Sequence, residues 1–485
     1  MNKELKRVST VVLLMFVSLF LSSSIIQVVA ADDLKADGRN SRTLYASYSA
    51  ERGPILVDGQ PIAYSQAVAD DYKFQRVYTN GPLYAPVTGY LTLNQGNTGL
   101  ESALNSYLTG TSNNQFFDQV NAILTGQNPK GASVETTIDP VVQQAAWDAL
   151  GDYEGAVIAI RPKTGEIIAM VSKPTFDPNG LAVHDTDQVI ALYNQLLDDP
   201  LDPLINRTLA GALDPPGSTF KLVTTSAALE SGKYTPDSAF PNPAELTLPE
   251  SSSVIGNSDL GTCGPGETAT IATALRLSCN IPMAELGLEL GYRAIFEQSE
   301  KFGFNESIDV PLTSTPSTYP RVLDAPQTML SAFGQGDVRA SPLQMAMVSM
   351  AIANGGTIMK PNLVESVVSS NLTTIQSFAP EVYKQQAISQ QTAATMTQLM
   401  VEAVANGAAN SATIDGVDVA GKTGTAQNGG DNPYTLWFTG FAPANDPEVV
   451  VAVVVQNGGG LGQDGTSSGI SAPIGRQVLE AVLSR

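Results

Sequence analysis

Histidine is nearly absent from this chain of 485 residues. His184 is the single histidine, and the two cysteines are Cys263 and Cys279. A zinc site with two or three histidine ligands is therefore excluded. A serine or cysteine enzyme that uses a histidine base would need His184 itself. Because His184 lies in a stretch typical of a loop, we expect it to have a structural or incidental role.

Basic residues are also scarce. The chain has 26 Lys and Arg against 47 Asp and Glu, which gives a net charge of -21. Binding to nucleic-acid phosphates requires a basic surface, so we expect no nucleic-acid partner. Charged residues make up 15% of the chain and hydrophobic residues 43%, which is typical of a globular protein. The length allows two or three domains with a sizeable core.

The first 31 residues combine a basic tip with an apolar run. Lysine and arginine occur within residues 3–7, and an uncharged, largely apolar stretch follows from Val8 to Ala31. Its length is that of a transmembrane helix, and the basic flank places its start in the cytoplasm. A cleaved signal peptide, with Val28-Val29-Ala30 as the cleavage site, is the alternative. We favour the uncleaved anchor. Both interpretations place everything after Asp32 outside the cytoplasm.

The pattern of apolar runs beyond Val134 predicts a sheet that is interrupted by helices. Two apolar runs around the polar turn Lys163-Thr164-Gly165 predict a hairpin at the centre of an antiparallel sheet. A large helical insertion follows. Three late apolar stretches predict strands, and a closing helix is predicted from Ala472 to Leu483; the strands are Val417 to Gly421, Thr435 to Phe441 and Val449 to Val455. This order predicts an α+β fold with a five-stranded antiparallel sheet and helices on its faces.

One stretch in the middle of the chain combines turn residues with a possible nucleophile. It is Asp214-Pro215-Pro216-Gly217-Ser218-Thr219-Phe220-Lys221, and an apolar run follows it to Ser231-Gly232. We predict a buried helix that begins near Ser218. Ser218 and Lys221 are three residues apart, so they lie on one face of its first turn. A serine with a lysine beside it and a helix N-terminus behind it resembles an activated nucleophile. The alternative is an ordinary helix start with a solvated lysine.

Two further short motifs follow, Ser278-x-Asn280 and Lys422-Thr423-Gly424-Thr425. Each is weak alone, because Ser-x-Asn and Lys-Thr-Gly also occur elsewhere in the chain, whereas Ser218-x-x-Lys221 is its single Ser-x-x-Lys. The order, spacing and local structure are more specific. The first motif opens a helix, the second lies between helices, and the third lies on a late strand.

In this order the motifs resemble those of the penicillin-recognising serine D,D-transpeptidases. Three stretches that contain or flank the motifs are similar to class B penicillin-binding proteins: Pro216-Gly217-Ser218-Thr219-Phe220-Lys221, Gly334-Gln335-Gly336 before Pro342-Leu343-Gln344-Met345-Ala346, and Gly421-Lys422-Thr423-Gly424-Thr425-Ala426-Gln427 with Trp437-Phe438-Thr439-Gly440. Near the N-terminus, three stretches are similar to the actinobacterial penicillin-binding protein A branch: Arg39-Asn40-x-Arg42, Glu51-Arg52-Gly53-Pro54-Ile55 and Tyr84-Ala85-Pro86-Val87-Thr88-Gly89-Tyr90.

The resemblance implies a division of the chain. Residues 1–31 would be the anchor or signal peptide, residues 32–133 a smaller non-catalytic domain of the pedestal or dimerisation kind, and residues 134–485 the transpeptidase domain. That domain would pair the five-stranded sheet with an all-helical subdomain. We see no glycosyltransferase domain. The family often has a tyrosine before Pro-Gly-Ser, whereas this chain has Ala212-Leu213-Asp214-Pro215. We expect this departure to affect the edge of the site and not its chemistry.

The resemblance also implies roles for individual residues. Catalytic roles fall to Ser218, Lys221, Ser278, Asn280 and Lys422; the oxyanion hole to the backbone N–H groups of Ser218 and Thr425; and substrate-carboxylate or β-lactam binding to Lys422, Thr423, Gly424 and Thr425. An ordinary lysine, with a pKa of about 10.4, is a poor base at neutral pH. Burial and the nearby Lys422 would lower the pKa of Lys221 and allow it to accept a proton. No metal or cofactor is implied.

The expected activity is cross-linking of peptidoglycan stem peptides through a Ser218 acyl-enzyme, with release of D-Ala. The expected partners are nascent peptidoglycan, β-lactams, the membrane and a glycosyltransferase of the SEDS family. A D,D-carboxypeptidase or a β-lactamase is one alternative, because the motifs do not separate transfer from hydrolysis. A non-enzymatic β-lactam sensor or scaffold is another, although intact motifs argue against it.

The two cysteines allow one intramolecular pairing, Cys263 with Cys279. An extracytoplasmic location permits a disulfide. Cys279 is the middle residue of the Ser-x-Asn motif, so a bridge would tie that loop to the turn around Cys263. Two free, buried thiols are the alternative.

Overall fold

The structure, a computed structural model, describes residues 3–29, 50–112, 115, 130–211, 213–257 and 261–484. Three predicted features lie wholly or partly outside the described residues: Arg39-Asn40-x-Arg42, the cleavage-site residue Ala30, and Ala212 in the lead-in to Ser218.

The chain begins with a long apolar helix, α1 (Lys3–Ser24), which continues as a π-helical turn (Ile25–Val29). The span from Lys6 to Gln27 has 22 residues and a mean hydropathy of 2.2, and it is not buried against the rest of the protein. About 20 apolar helical residues cross the hydrocarbon core of a bilayer. The helix therefore fits a single-pass membrane anchor.

A region of short elements follows. Its helices and strands are β1 (Ile55–Val57), β2 (Gln60–Ala67), β3 (Phe74–Tyr78), α2 (Gly81–Thr88), α3 (Gly99–Ala103), α4 (Asn105–Leu108) and β4 (Ser133–Thr136).

The central part of the chain is mostly helical. Its elements are α5 (Pro140–Leu150), β5 (Gly155–Ile160), β6 (Ile167–Lys173), α6 (Thr186–Leu197), α7 (Lys221–Glu230), β7 (Ala239–Pro241), β8 (Glu245–Thr247), β9 (Val254–Gly256), β10 (Thr268–Thr270), α8 (Ile271–Arg276), α9 (Ile281–Leu290), α10 (Tyr292–Lys301), α11 (Ala325–Ser331) and α12 (Pro342–Ala353). Short 3₁₀ turns lie at Pro178–Leu181 and Gly217–Phe220. The helical insertion thus also carries two small ribbons, β7 with β10 and β8 with β9.

The last part returns to strands. Its elements are β11 (Ile358–Met359), β12 (Val364–Val368), β13 (Thr374–Ser377), β14 (Val382–Lys384), α13 (Gln390–Ala405), β15 (Ala420–Ala426), β16 (Thr435–Ala442), β17 (Val449–Val455) and α14 (Ser471–Leu483), with 3₁₀ turns at Asn410–Ala412 and Asn457–Gly460.

The predicted five-stranded antiparallel sheet is confirmed, with the order β15-β16-β17-β5-β6. Helices α5 and α14 pack on one face and α12 on the other. The prediction that the β5–β6 hairpin forms the centre is wrong, because β6 lies at the edge. The central strand is β17, whose seven residues are all buried. A continuous apolar run of this length is typical of a strand that is covered on both faces.

The bounds of β15 also differ from the prediction. The sequence predicts a strand from Val417 to Gly421, whereas β15 runs from Ala420 to Ala426 and carries the whole Lys-Thr-Gly-Thr motif. Gly424 weakens the strand pattern, since glycine has low strand propensity. In the fold it is required: a Cβ on Gly424 would lie 2.8 Å from both Pro216 O and Thr219 N. Strand β15 therefore runs against the turn that bears Ser218.

A second, six-stranded sheet has the order β13-β12-β4-β1-β2-β3. Strand β4 pairs in parallel with β1 and antiparallel with β12. The sheet thus joins strands from both sides of the predicted division between residues 133 and 134. That division stays a prediction.

Candidate active site

Ser218 lies in a tight turn that precedes α7. The predicted helix start is a 3₁₀ turn, Gly217–Phe220, and the α-helix begins only at Lys221. Gly217 has a φ of +52°, which side chains other than glycine adopt rarely, and a Cβ there would lie 2.9 Å from Thr425 C and O. Its N–H donates to Gly334 O at 3.0 Å. These contacts hold the buried Ser218 against β15.

The amine of Lys221 lies at the centre of the three motifs. Its Nζ is 2.8 Å from Ser218 Oγ, 2.6 Å from the carbonyl oxygen of Ser278 and 2.9 Å from Asn280 Oδ1. Lys221 is fully buried. The structure therefore brings the nucleophile candidate and the Ser-x-Asn loop to one amine.

Lys422 reaches the same loop from β15. Its Nζ donates to Ser278 Oγ at 2.7 Å and to Thr423 O at 2.8 Å, and its side chain is fully buried. Ser278 has a φ of +62°. A non-glycine residue in this region is strained, and such strain concentrates at functional sites. Ser278 thereby presents its carbonyl to Lys221 and its hydroxyl to Lys422.

The two buried amines have lowered pKa values. Burial lowers the pKa of Lys422 to about 7. Burial, and then the positive charge of Lys422, hold the pKa of Lys221 well below its ordinary value. The sequence analysis named both causes for Lys221, and burial is the larger.

Asn257, which the sequence analysis missed, orients Asn280. Its Oδ1 accepts from the backbone N–H groups of Asn280 and Ile281 at 2.9 and 3.1 Å, and its Nδ2 donates to Gly261 O at 2.8 Å. Asn280 Nδ2 in turn donates to Gly256 O at 2.9 Å. These bonds leave Asn280 Oδ1 facing Lys221. Asn257 lies in a serine-rich stretch without a motif, so no sequence signal marked it.

A disulfide joins Cys263 to Cys279 in the structure. Asn242 holds the Cys263 side of the bridge: its Oδ1 accepts from Cys263 N at 2.5 Å, and its Nδ2 donates to Cys263 O at 3.2 Å. Because Cys279 stands between Ser278 and Asn280, the bridge ties the Ser-x-Asn loop to a second hydrogen-bonded turn.

The two threonines of the Lys-Thr-Gly-Thr motif have different partners. Thr423 Oγ1 donates to Ala408 O at 3.3 Å, so this hydroxyl is engaged away from Ser218 and Lys221. Thr425 Oγ1 lies 2.8 Å from Ser467 Oγ, which donates to Gly424 O at 2.6 Å. Ser467 was also missed by the sequence analysis, since it lies in the loop Gly465-Thr466-Ser467-Ser468-Gly469.

Asp214 lies in the lead-in to Ser218 that departs from the expected tyrosine pattern. Its carboxylate accepts from Gln456 Nε2 at 2.8 Å and from Thr435 Oγ1 at 3.2 Å, next to β16 and β17. Burial raises its pKa above the ordinary value, against the lowering effect of these hydrogen bonds. Asp214 thus contacts the sheet and not the lysines of the cluster.

His184 lies in a loop, as predicted. Its Nδ1 is 2.5 Å from Asp70 Oδ2, so it contacts the loop between β2 and β3 and not the Ser218 cluster. Within the residues that the structure describes, no three His, Cys, Asp or Glu side chains are grouped to hold a metal ion.

Comparisons with known proteins point to one family. Residues 155–480 match the penicillin-binding protein transpeptidase domain, and residues 52–134 match the penicillin-binding protein A dimerisation domain.

Two relatives and one solved structure are similar along most of the chain. The peptidoglycan D,D-transpeptidase PbpA of Mycolicibacterium smegmatis is 41% identical over 492 residues, which cover 100% of this chain and 99% of the relative. PbpA of Mycobacterium tuberculosis is 39% identical with the same coverage. A structure of penicillin-binding protein A from M. tuberculosis, a penicillin G acyl-enzyme complex, is 38% identical with a TM-score of 0.84, and the match covers 90% of this chain and 100% of that one.

Proposed function

The chain belongs to the penicillin-binding protein transpeptidases, in their class B, and we propose that it is a peptidoglycan D,D-transpeptidase. Its substrate is the D-Ala-D-Ala end of a stem peptide in nascent peptidoglycan. Its product is a cross-link that forms through an acyl-enzyme on Ser218. One observation carries the proposal: Lys221 Nζ lies 2.8 Å from Ser218 Oγ inside a buried cluster with a second lysine.

The partners of Lys221 support its role as the base. A neutral amine has two N–H groups and one lone pair. The carbonyl of Ser278 and Oδ1 of Asn280 can only accept hydrogen bonds, whereas the hydroxyl of Ser218 can donate one. The first two oxygens therefore take the N–H groups, and the lone pair faces the Ser218 proton.

The reaction divides into acylation and transfer. Ser218 Oγ attacks the carbonyl between the two D-alanines while Lys221 accepts the hydroxyl proton. The N–H groups of Ser218 and Thr425 stabilise the oxyanion, at about 3 kcal/mol per donor in comparable sites. Lys221 then gives up this proton, which Ser278 relays to the leaving amine; the C–N bond breaks and D-Ala departs. An amine of a neighbouring strand then attacks the ester, forms the cross-link and returns the proton to Ser218.

The remaining motif residues bind the substrate. Asn280 hydrogen-bonds the peptide amide, and its Oδ1 holds Lys221. The terminal carboxylate of the stem peptide lies along β15 at Lys422, Thr423, Gly424 and Thr425. For Thr423 this requires the hydroxyl to leave Ala408 O. β-Lactams carry a similar carboxylate and acylate Ser218 by the same attack.

The division and location of the chain follow the same proposal. Residues 32–133 form a non-catalytic domain and residues 134–485 the transpeptidase domain, both outside the cytoplasm and anchored by α1. Class B membership implies that a partner makes the glycan strands, and we infer a SEDS-family glycosyltransferase.

Labelling with a fluorescent penicillin tests the proposal. The wild-type chain should be labelled covalently and Ser218→Ala should not; labelling that does not depend on Ser218 would refute the site. Product analysis on nascent peptidoglycan then separates the two enzyme classes. Cross-linked dimers support the transpeptidase, whereas free D-Ala without dimers indicates a hydrolase.

A further inference from the structure

One hydroxyl outside the three motifs contacts the peptide group between Gly424 and Thr425. Ser467 Oγ donates to Gly424 O at 2.6 Å. A trans peptide group is planar, with its carbonyl and its N–H pointing to opposite sides. The N–H in this group is that of Thr425, which the proposed function places in the oxyanion hole. A bond that fixes the Gly424 carbonyl therefore also sets the direction of the Thr425 N–H.

Ser467 is held rigidly. Its side chain is buried, with 3% of its surface exposed. Its own carbonyl accepts from Ala472 N at 2.9 Å and from Ser471 Oγ at 3.1 Å, at the start of α14. Because α14 packs on the central sheet, the hydroxyl is supported by the core and not by a free loop.

The number of available protons fixes the direction of the hydrogen bond between Thr425 and Ser467. A serine hydroxyl has one proton, and a carbonyl oxygen can only accept. The Ser467 proton goes to Gly424 O, so the 2.8 Å contact with Thr425 must be a bond that the Thr425 hydroxyl donates. When a carboxylate binds, the Thr425 hydroxyl turns toward it, and Ser467 keeps its bond to Gly424.

The Gly424–Thr425 peptide has little room to tilt. A Cβ on Gly424 would lie 2.8 Å from Thr219 N, and one on Gly217 would lie 2.9 Å from Thr425 C. The peptide thus packs directly on the turn that bears Ser218. A small rotation would change the angle at which the Thr425 N–H meets a developing oxyanion.

We propose that Ser467 is a positioning residue for acylation, which acts by anchoring and polarising the Gly424–Thr425 peptide. This inference rests on the proposed function of Ser218 and Thr425. A hydrogen bond to a peptide carbonyl strengthens the N–H of the same group as a donor. Ser467 itself touches no substrate. Its effect appears in the transition state, where the oxyanion forms.

The test measures acylation of the full chain by a fluorescent penicillin and affinity for a boronic acid that lacks a carboxylate. The boron becomes tetrahedral when it bonds to Ser218 Oγ, and one of its own oxygens then occupies the oxyanion hole. In Ser467→Ala we expect the acylation rate constant and the boronic acid affinity each to fall about 5- to 30-fold, less than the loss for a deleted oxyanion donor. Rates are taken on the fraction that is labelled at completion, so unfolded protein does not contribute.

Two variants serve as controls. Ser467→Thr keeps the hydroxyl and should retain the acylation rate within about threefold, since the same bond to the carbonyl remains possible. Ser468→Ala removes a neighbouring hydroxyl that contacts Ser411 Oγ, and it should behave as wild type.

The outcomes separate this inference from the proposed function. An unlabelled wild-type chain refutes the proposed function. A labelled wild type with an equally fast Ser467→Ala overturns only the role of Ser467. The role of Ser467 is also overturned if Ser467→Ala reacts more slowly with penicillin but binds the boronic acid as tightly as wild type. That result would mean that Ser467 affects binding of the penicillin carboxylate and not the oxyanion hole. A Ser467→Thr as slow as Ser467→Ala also counts against the hydroxyl anchor.

Discussion

The protein buries a pair of basic side chains in each of two places, and the partners of the two pairs differ. In the N-terminal region Arg52 and Arg76 contact the fully buried carboxylate of Glu101, with Nε–Oε distances of 2.5 and 2.6 Å. In the Ser218 cluster, the hydrogen bonds of the Lys221 and Lys422 amines within the described part of the chain go to neutral hydroxyl, carbonyl and amide oxygens.

The difference explains why one cluster is structural and the other suited to chemistry. Burial alone would raise the pKa of Glu101, but the charges of Arg76 and Arg52, together with their hydrogen bonds to the carboxylate, hold that pKa below its ordinary value. The two guanidinium groups therefore stabilise the charged form of the Glu101 carboxylate. Among the described residues no carboxylate pairs with either lysine, and burial lowers their pKa values. A buried amine that has no carboxylate partner gives up its proton more readily, which suits it to act as a base.

Removal of the base should have the largest effect. In Lys221→Met we expect the rate constant of Ser218 acylation by penicillin to fall by about 10²- to 10⁴-fold, the range for a general base. Fluorescent penicillin labelling over time measures it. The control is Lys233→Met, which alters an exposed lysine just beyond α7 and should acylate as wild type. A less than tenfold loss in Lys221→Met would contradict the assignment.

Neutralising the Glu101 carboxylate should lower the free energy of unfolding and leave the acylation of Ser218 unchanged. Glu101→Gln leaves two buried guanidinium groups without a counter-charge, which costs about 3–5 kcal/mol of unfolding free energy. Because the folded-state pKa is lowered, this stabilisation is present above about pH 4.3 and is lost as the pH falls through the folded-state value. Denaturant unfolding of the detergent-solubilised chain measures the loss.

The matched control is Glu51→Gln. Glu51 pairs with Lys130 at 2.8 Å, but both side chains are substantially exposed. Loss of this ion pair should lower the free energy of unfolding by less than about 1 kcal/mol. If Glu101→Gln were as stable as this control, or if its folded fraction acylated more slowly than wild type, the contrast between the two clusters would fail.

The disulfide beside the Ser-x-Asn loop should contribute a similar amount to the free energy of unfolding. Cys263 and Cys279 are 16 residues apart, and the chain-entropy account gives about 3 kcal/mol for a loop of this size. We therefore expect a reductant to lower the free energy of unfolding by that amount. A variant with both cysteines changed to alanine should not respond to the reductant. Two free thiols in the denatured, unreduced protein would contradict the bridge.

Local patterns in the sequence predicted much of this arrangement. The β5–β6 hairpin, α14 and β17 follow from the pattern of apolar residues, and the three motifs predicted which side chains would meet. The position of the hairpin at the edge did not follow, because strand order depends on how distant segments pair. Asn257 and Ser467 were missed for a related reason. Each acts through hydrogen bonds to a residue distant in sequence, and each lies in a polar loop without periodicity.

The pH profile of acylation tests the central claim, that two buried lysines without a carboxylate keep Lys221 able to accept the Ser218 proton. Acylation should rise with pH as Lys221 loses its proton. In Lys422→Met the positive charge beside Lys221 is gone and burial is the remaining cause of its lowered pKa. The pKa of Lys221 should therefore rise part of the way back toward its ordinary value. The second-order rate constant for penicillin should then reach half its maximum at a pH higher by roughly one unit or more than in wild type. A profile that does not move, or that moves to lower pH, would contradict the account.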